Sequence, residues 1–206
     1  MSQQAQQIKE FWNSRYEKEQ YVYGTSPNEF FKSAIDTLPV GKLFVPGAGE
    51  GRDGVYAASL GWNVICLDLS EAGKEKAIQL AESKNVKVEY LIEDINNVAF
   101  ADDTFDAIAL VFFHLPKQQY LKFINQAHKW LKPGGTVIAQ LFTENQLNYH
   151  SGGPKDADLL INPIEWQKNA ETLFSFRHFE ITEVNLDEGS YHVGTGHVMN
   201  FIGAKL

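Results

Sequence analysis

Three glycines at alternate positions, Gly47, Gly49 and Gly51, follow the apolar run Leu43-Phe44-Val45-Pro46. A helix-like segment, Val55-Tyr56-Ala57-Ala58-Ser59-Leu60, comes soon after them. This is how a strand turns into a helix while a ligand lies against bare backbone. Glycine has no Cβ, so it permits positive φ and close approach. The first amides of the helix are unpaired and suit an anionic or electron-rich group. Roughly 20 residues further on, a second apolar run, Trp62-Asn63-Val64-Ile65-Cys66-Leu67, ends in Asp68, where an acid grips a nucleotide ribose. Gly49-Glu50-Gly51-Arg52-Asp53-Gly54 also satisfies the dinucleotide pattern G-x-G-x-x-G, a weak signal when it stands alone.

The elements needed to hold these residues alternate. Strands are expected at Leu43–Val45, Asn63–Leu67, Val86–Ile92, Phe105–Phe113 and Thr136–Phe142. Helices are expected near 5–19, at 52–60, at 71–83 and at Lys117–Trp130. Ser26 is the expected cap of a further helix starting at Pro27, and Lys132-Pro133-Gly134-Gly135 reads as a tight turn. Such alternation implies a parallel sheet covered on both faces. After a helix near 163–174, two strands, His178–Asp187 and His197–Ala204, are joined by Glu188-Gly189-Ser190-Tyr191 and favour an antiparallel hairpin. The expected fold is α/β, Rossmann-like and doubly wound. It has a mostly parallel seven-stranded sheet, a C-terminal antiparallel hairpin and an N-terminal helical lid. One domain spans 1–206, with the lid at 1–38 and the core at 39–206.

Ligands in open α/β sheets bind beyond the carboxyl ends of the strands. The residues there are Gly47–Arg52, Asp68-Leu69, Asp94-Ile95, His114 and Gln140–Thr143. Asp68 can accept from a ribose diol and Asp94 from an adenine amino group, while the Ile95 amide donates to a ring nitrogen. Gly47, Ala48, Gly49, Gly51, Arg52, Asp68, Leu69, Asp94, Ile95 and Phe112 form the expected cofactor set.

The 206 residues carry a formal charge of −8, with 44% hydrophobic and 21% charged residues. Those values fit a soluble globular chain and speak against a nucleic-acid partner, which needs a basic face. No apolar run reaches the ~20 residues that span a bilayer, and the polar start Met1-Ser2-Gln3-Gln4 lacks a secretory core. The one cysteine, Cys66, reads as a buried structural thiol. The expected location is cytoplasmic. The histidines show no metal-ligand spacing, so no metal is expected.

Several segments together resemble class I S-adenosylmethionine-dependent methyltransferases, especially the bacterial tellurite-resistance or thiopurine-methyltransferase-like group. They are Trp12-Asn13-Ser14-Arg15-Tyr16, Tyr21-Val22-Tyr23-Gly24-Thr25-Ser26-Pro27-Asn28, Gly49-Glu50-Gly51-Arg52 and Leu67-Asp68-Leu69-Ser70. Phe113-His114-Leu115-Pro116, Leu131-Lys132-Pro133-Gly134-Gly135, Ser151-Gly152-Gly153-Pro154-Lys155-Asp156 and Tyr191-His192-Val193-Gly194 also match. The resemblance spans nearly the whole chain. It implies S-adenosylmethionine as cofactor, S-adenosylhomocysteine as product, and methyl transfer to a small nucleophile. That acceptor is a thiol, a thiopurine-like compound, or a tellurium or selenium species derived from an oxyanion. A soft nucleophile needs little base catalysis.

The residues singled out as catalytic are His114 on the substrate side, His192 lining the pocket, Tyr23, placed to stack on adenine or surround the sulfonium, and Arg15, placed to touch the cofactor carboxylate or an anionic substrate. The bland readings stand beside them: His114 caps the next helix, the aromatics pack on the sheet, and Arg15 pairs with Glu19 on the helix surface. The superfamily often carries an acid on the first strand near Val45; this chain does not, and Glu50 or a water is left to take its place. Phe113-His114-Leu115-Pro116 stands where amino-group methyltransferases resemble Asp/Asn-Pro-Pro-Tyr, which disfavours a DNA or protein-amide substrate. The expected oligomeric state is monomer or homodimer. The alternatives are a non-catalytic adenosyl-ligand sensor and, more weakly, a nicotinamide-dependent reductase.

Overall fold

A computed structural model describes residues 3–206, so the first two residues of the polar start lie outside it. Seven strands make a mixed, mostly parallel sheet with antiparallel C-terminal strands. The chain divides into two compact units, one made of 1–99 with 188–190, the other of 100–187 with 191–206.

In the first unit, α1 (Gln3–Tyr16) and α2 (Glu29–Ile35) precede β1 (Lys42–Pro46), α3 (Arg52–Ser59), β2 (Asn63–Asp68), α4 (Glu71–Ser83) and β3 (Glu89–Ile92). β1 pairs in parallel with β2 (Val45 opposite Cys66), and β2 with β3 (Cys66 opposite Tyr90). Leu43, Phe44 and Val45 are all buried, as expected of a parallel strand covered on both faces. α4 turns Gly73, Ala77, Leu80 and Ala81 inward at helical spacing, and Ser70 Oγ accepts from the Gly73 amide to cap it.

In the second unit, β4 (Phe105–Val111) runs parallel to β5 (Leu131–Phe142), linked by α5 (Lys117–Trp130). α5 buries Tyr120, Phe123, Ile124, Ala127 and Trp130, a 3.6-residue stripe. After α6 (Pro163–Ala170) come β6 (Phe174–Glu188) and β7 (His192–Lys205), and β7 lies antiparallel to β5 with Gln140 opposite Asn200. That pair is joined by a side-chain hydrogen bond of 2.8 Å.

Several boundaries differ from the sequence expectation. Asn28, not Ser26, caps α2: its side chain accepts from the Phe31 amide, and the helix opens at Glu29 rather than Pro27. β3 starts at Glu89, because Val86 and Val88 pack against Val55, Leu80 and Ala81 instead of entering the ladder. The 132–135 turn lies inside β5, whose Leu131 pairs with Phe105 before the register shifts and resumes at Thr136 opposite Ala107. The hairpin strands are longer than expected, and His192 rather than His197 opens β7.

Candidate functional site

The glycine segment leaves β1 in the left-handed region three times, with φ of 65° at Gly47, 51° at Gly49 and 85° at Gly51. Only glycine adopts that alternation without strain. The Gly51 amide donates to Ala48 O (2.9 Å), and the Ala48 amide to Leu67 O (3.0 Å), which fixes the loop against the end of β2. There Asp68 Oδ2 accepts from the Gly49 amide at 2.9 Å and Oδ1 from the Ser70 amide at 3.0 Å. Burial pushes the Asp68 carboxyl up, and the backbone N–H groups oppose that shift. A carboxylate has about four acceptor positions, and the amides of Gly49, Ser70 and Leu69 use three of them, so one is left for a sugar hydroxyl. A bare-backbone turn joined to a carboxylate fits the adenosyl cofactor that the sequence implies. From beneath, buried Tyr90 donates its phenol to Gly49 O at 2.5 Å.

Asp94 and Ile95 stand at the end of β3. The Asp94 side chain accepts from the Asn96 amide at 2.9 Å and so starts a short turn over Ile95–Asn97. Leu69 lies between Asp68 and the cap Ser70.

The other two polar residues of the loop face the chain's own backbone. Glu50 is buried; its Oε2 accepts from Val22 N (2.8 Å) and Tyr23 N (3.3 Å), and its Oε1 from Lys76 Nζ (2.9 Å). Arg52 donates to Tyr23 O (3.1 Å) and Glu188 Oε2 (2.9 Å), and its Nε lies 3.9 Å from Asp53 Oδ2. Residues 20–24 thus form a strap tied to the loop, and Gly189 backs it so closely that an added Cβ would lie 2.4 Å from Val22 O.

α1 is clamped onto the start of α4. Asn13 Oδ1 accepts from Ser70 Oγ (2.6 Å) and the Ala72 amide (3.3 Å), while Lys9 pairs with Glu71. Trp12, Tyr16 and Tyr23 gather with ring centroids 5.4 to 6.5 Å apart. Arg15 donates to Tyr23 Oη at 2.9 Å and lies over the Phe11 and Trp12 rings, so it faces this aromatic group.

In the second unit, Phe112 leaves β4 at φ 47°, a strained value for a non-glycine residue, while its amide donates to Gln140 O (2.9 Å). The turn brings three rings together around buried Phe142. Phe112 stacks on Phe142 at 4.5 Å, and His114 lies parallel to it at 6.0 Å. His192 meets Phe142 edge-on at 5.4 Å and Phe112 at 4.7 Å. Burial, helped by His192 nearby, lowers the His114 pKa to about 4, and a hydrogen bond with the Leu159 backbone opposes this. Gly152 and Gly153 close over the cluster; a Cβ on Gly152 would lie 2.7 Å from the His192 ring.

Within the first unit the structure thus brings together Gly47, Gly49, Gly51, Arg52, Asp68, Tyr23 and Arg15. Within the second it gathers Phe112, His114 and His192. Sequence reading missed Lys76, Glu188 and Tyr90, whose contacts lie 26, 136 and 41 residues away along the chain. Among the described residues no group of three or more His, Cys, Asp or Glu side chains is placed to hold a metal ion, and no helix is long and apolar enough to cross a membrane.

The fold, with its glycine turn and β2 carboxylate, defines a Rossmann-like α/β protein. Residues 46–135 match the family described as a methyltransferase domain. The chain is 30% identical over 121 residues to thiocyanate methyltransferase 1 of Brassica oleracea, a match covering 57% of this chain and 52% of that protein. It is 25% identical over 137 residues to thiopurine S-methyltransferase of Legionella pneumophila (strain Corby), covering 56% and 60%. The chain thus spans about half the length of these relatives. Magnesium protoporphyrin IX methyltransferase from Synechocystis PCC 6803, solved with bound SAH, shares the fold with a TM-score of 0.72 at 13% identity, covering 98% of this chain and 99% of that one. Residues 46–135 thus match a methyltransferase domain, and the chain is similar to S-adenosylmethionine-dependent methyltransferases, the family its motifs resemble. The cofactor of that family is S-adenosylmethionine.

Proposed function

We propose that this protein transfers a methyl group from S-adenosylmethionine to a small, soft nucleophile, a thiol before an oxyanion-derived species. The observation that carries the reading is the 2.9 Å hydrogen bond from the Gly49 amide to Asp68 Oδ2, which locks a bare-backbone turn to a carboxylate with acceptor capacity to spare. In this reading the backbone of Gly47, Ala48, Gly49 and Gly51 meets the amino-acid tail. Asp68 accepts from a sugar hydroxyl, Asp94 and Ile95 meet the adenine, and Leu69 adds apolar contact. When bound, the cofactor supplies an electrophilic methyl group on a sulfonium, so the protein contributes alignment and exclusion of water.

The acceptor side falls to Phe112, His114 and His192 with Phe142. His114, with a pKa near 4, is neutral at pH 7. A neutral imidazole that donates one N–H to backbone keeps a lone pair on its other nitrogen for a thiol proton. An aromatic cluster with a neutral imidazole suits a polarisable, uncharged thiol, whereas an oxyanion would lose hydration there without a counter-charge. The Brassica and Legionella relatives, a thiocyanate and a thiopurine methyltransferase by name, support a sulfur acceptor. Arg15 and Tyr23 hold each other in the first unit and are assigned to orienting the bound ligands.

Two measurements test this. Calorimetry should show binding of S-adenosylmethionine and S-adenosylhomocysteine, weakened about 10- to 100-fold by Asp68→Asn, the range for losing a hydrogen bond to a charged group. Methyl transfer from labelled cofactor to a panel of thiols and selenium and tellurium oxyanions should then find turnover among the thiols. Absence of binding in well-folded protein rejects the reading. Binding with no turnover on any acceptor leaves a ligand-binding module.

A further inference from the structure

An acid inside the glycine loop is the obvious stand-in for the acid that the first strand lacks at Val45. The geometry points elsewhere. Glu50 is a positioning residue that fixes the 20–24 strap and does not touch the cofactor's amino group. The inference rests on the reading that an adenosyl ligand lies on this loop. Both carboxylate oxygens are already engaged, one by the Val22 and Tyr23 amides and the other by Lys76, in a side chain only 2% exposed. Lys76 carries the clamp further, donating to Gln20 O at 2.7 Å, while Tyr21 Oη donates back to Lys76 O at 2.9 Å. Arg52, two residues along the loop, holds Tyr23 O. The strap is therefore bonded at Gln20, Tyr21, Val22 and Tyr23 to residues of the loop and of α4. Tyr23 in turn bonds Arg15 and lies against Trp12 and Tyr16. Glu50 thereby ties the ligand-bearing turn to the aromatic residues gathered above it.

Glu50→Gln is the discriminating variant. A carboxylate accepts on both sides, but an amide must turn its NH2 toward either the Lys76 ammonium or the strap amides, donor against donor. Two ligands separate the roles: S-adenosylhomocysteine, and 5′-methylthioadenosine, which keeps adenosine and sulfur but lacks the amino-acid tail. A positioning role predicts that E50Q weakens both by the same factor, about tenfold. Lys76→Met, which leaves the loop sequence intact, should weaken both equally too and stands in should E50Q fail to fold. Amide exchange of Val22 and Tyr23 in the unliganded protein should quicken in E50Q by at least about tenfold. A loss confined to S-adenosylhomocysteine overturns the proposal, because it places Glu50 on the tail. Unchanged affinity for both ligands, or unchanged exchange at Val22 and Tyr23, overturns it as well. If the wild-type protein binds neither ligand, the methyltransferase reading falls while the exchange comparison still decides what Glu50 holds.

Discussion

Tyr16 covers Gly49 from the side on which any other residue would carry its Cβ: an added Cβ would lie 2.6 Å from Tyr16 Oη. The same ring limits Gly73 on α4, where a Cβ would sit 3.2 Å from Tyr16 Cδ2 and 2.9 Å from Gly49 O. Three sequence-distant pieces, the end of α1, the loop after β1 and the start of α4, therefore meet with no room for a methyl group. The buried Tyr16 phenol is held well above its usual pKa, first by burial and then by the charges of Asp68, Tyr23 and Glu50, so it is a neutral hydroxyl at pH 7.

This packing predicts unequal costs for two alanines in one loop. Gly49→Ala adds left-handed strain of about 1–2 kcal/mol and displaces a side chain that can swing away. Gly51→Ala adds the same strain but drives its Cβ to 2.5 Å from Ala77 Cβ and 3.0 Å from Ala77 Cα, and a helix backbone does not swing. Urea denaturation should show G51A losing about 3 kcal/mol or more and G49A distinctly less. Equal losses, or a G51A as stable as wild type, would contradict the loop geometry.

Acid should weaken the fold through His114. The folded pKa of this residue is about 4, below the usual 6.5, so the unfolded chain binds the proton more readily. Stability from this group is full above pH 6.5 and is lost as pH falls from there toward 4, by at most about 3 kcal/mol. His114→Phe should flatten that part of the stability curve, between about pH 6.5 and 4.5, measured by denaturant titration at fixed salt. If the variant keeps the wild-type slope, His114 is not held neutral.

The local half of this architecture was legible from residue order. The β1–glycine turn–α3 unit and the acid ending β2 are short-range features, and α4 and α5 fall where periodicity and flanking signals place them. The rest depends on tertiary partners. Nothing around Lys76, in a helix rich in Glu and Lys, distinguishes it from solvent-facing neighbours until Glu50 and Gln20 O lie within reach. Ser26 and Asn28 are both good caps; Asn28 is favoured where its amide donates to Asp53 (2.7 Å) and its side chain to Glu188 (2.8 Å). Val86 and Val88 look like strand residues by alternation, yet packing against Leu80 claims them.

Cys66 offers an inexpensive check on β2. Its thiol is fully buried and pushed far above the usual thiol range by burial, with Asp53 and Asp68 adding to the shift. An aromatic disulfide reagent in mildly alkaline buffer should label well under one thiol per native chain within about an hour, and the full thiol after denaturation. Rapid labelling of native protein would mean that β2 opens far more easily than its pairing with β1 and β3 implies.

Arg52 is the loop's other charged anchor. Its side chain, 10% exposed, is flanked by Asp53 and Glu188 at 10% and 13%. Burial pushes the Asp53 carboxyl up even with the guanidinium beside it. Removing the cation leaves two carboxylates in a poorly hydrated place, so Arg52→Met should cost about 3–5 kcal/mol. Arg52→Lys restores the charge but not the planar fork that serves Tyr23 O and Glu188 together, and should fall between. Adding Glu188→Gln to R52M should recover part of the loss, because the two residues share one interaction and their effects do not add. Denaturant titrations of wild type, R52M, R52K, E188Q and the R52M/E188Q double variant at neutral pH test this. A loss under about 1 kcal/mol in R52M, or strict additivity in the double variant, would show that the buried ion pair is not what holds hairpin residue Glu188 to the loop.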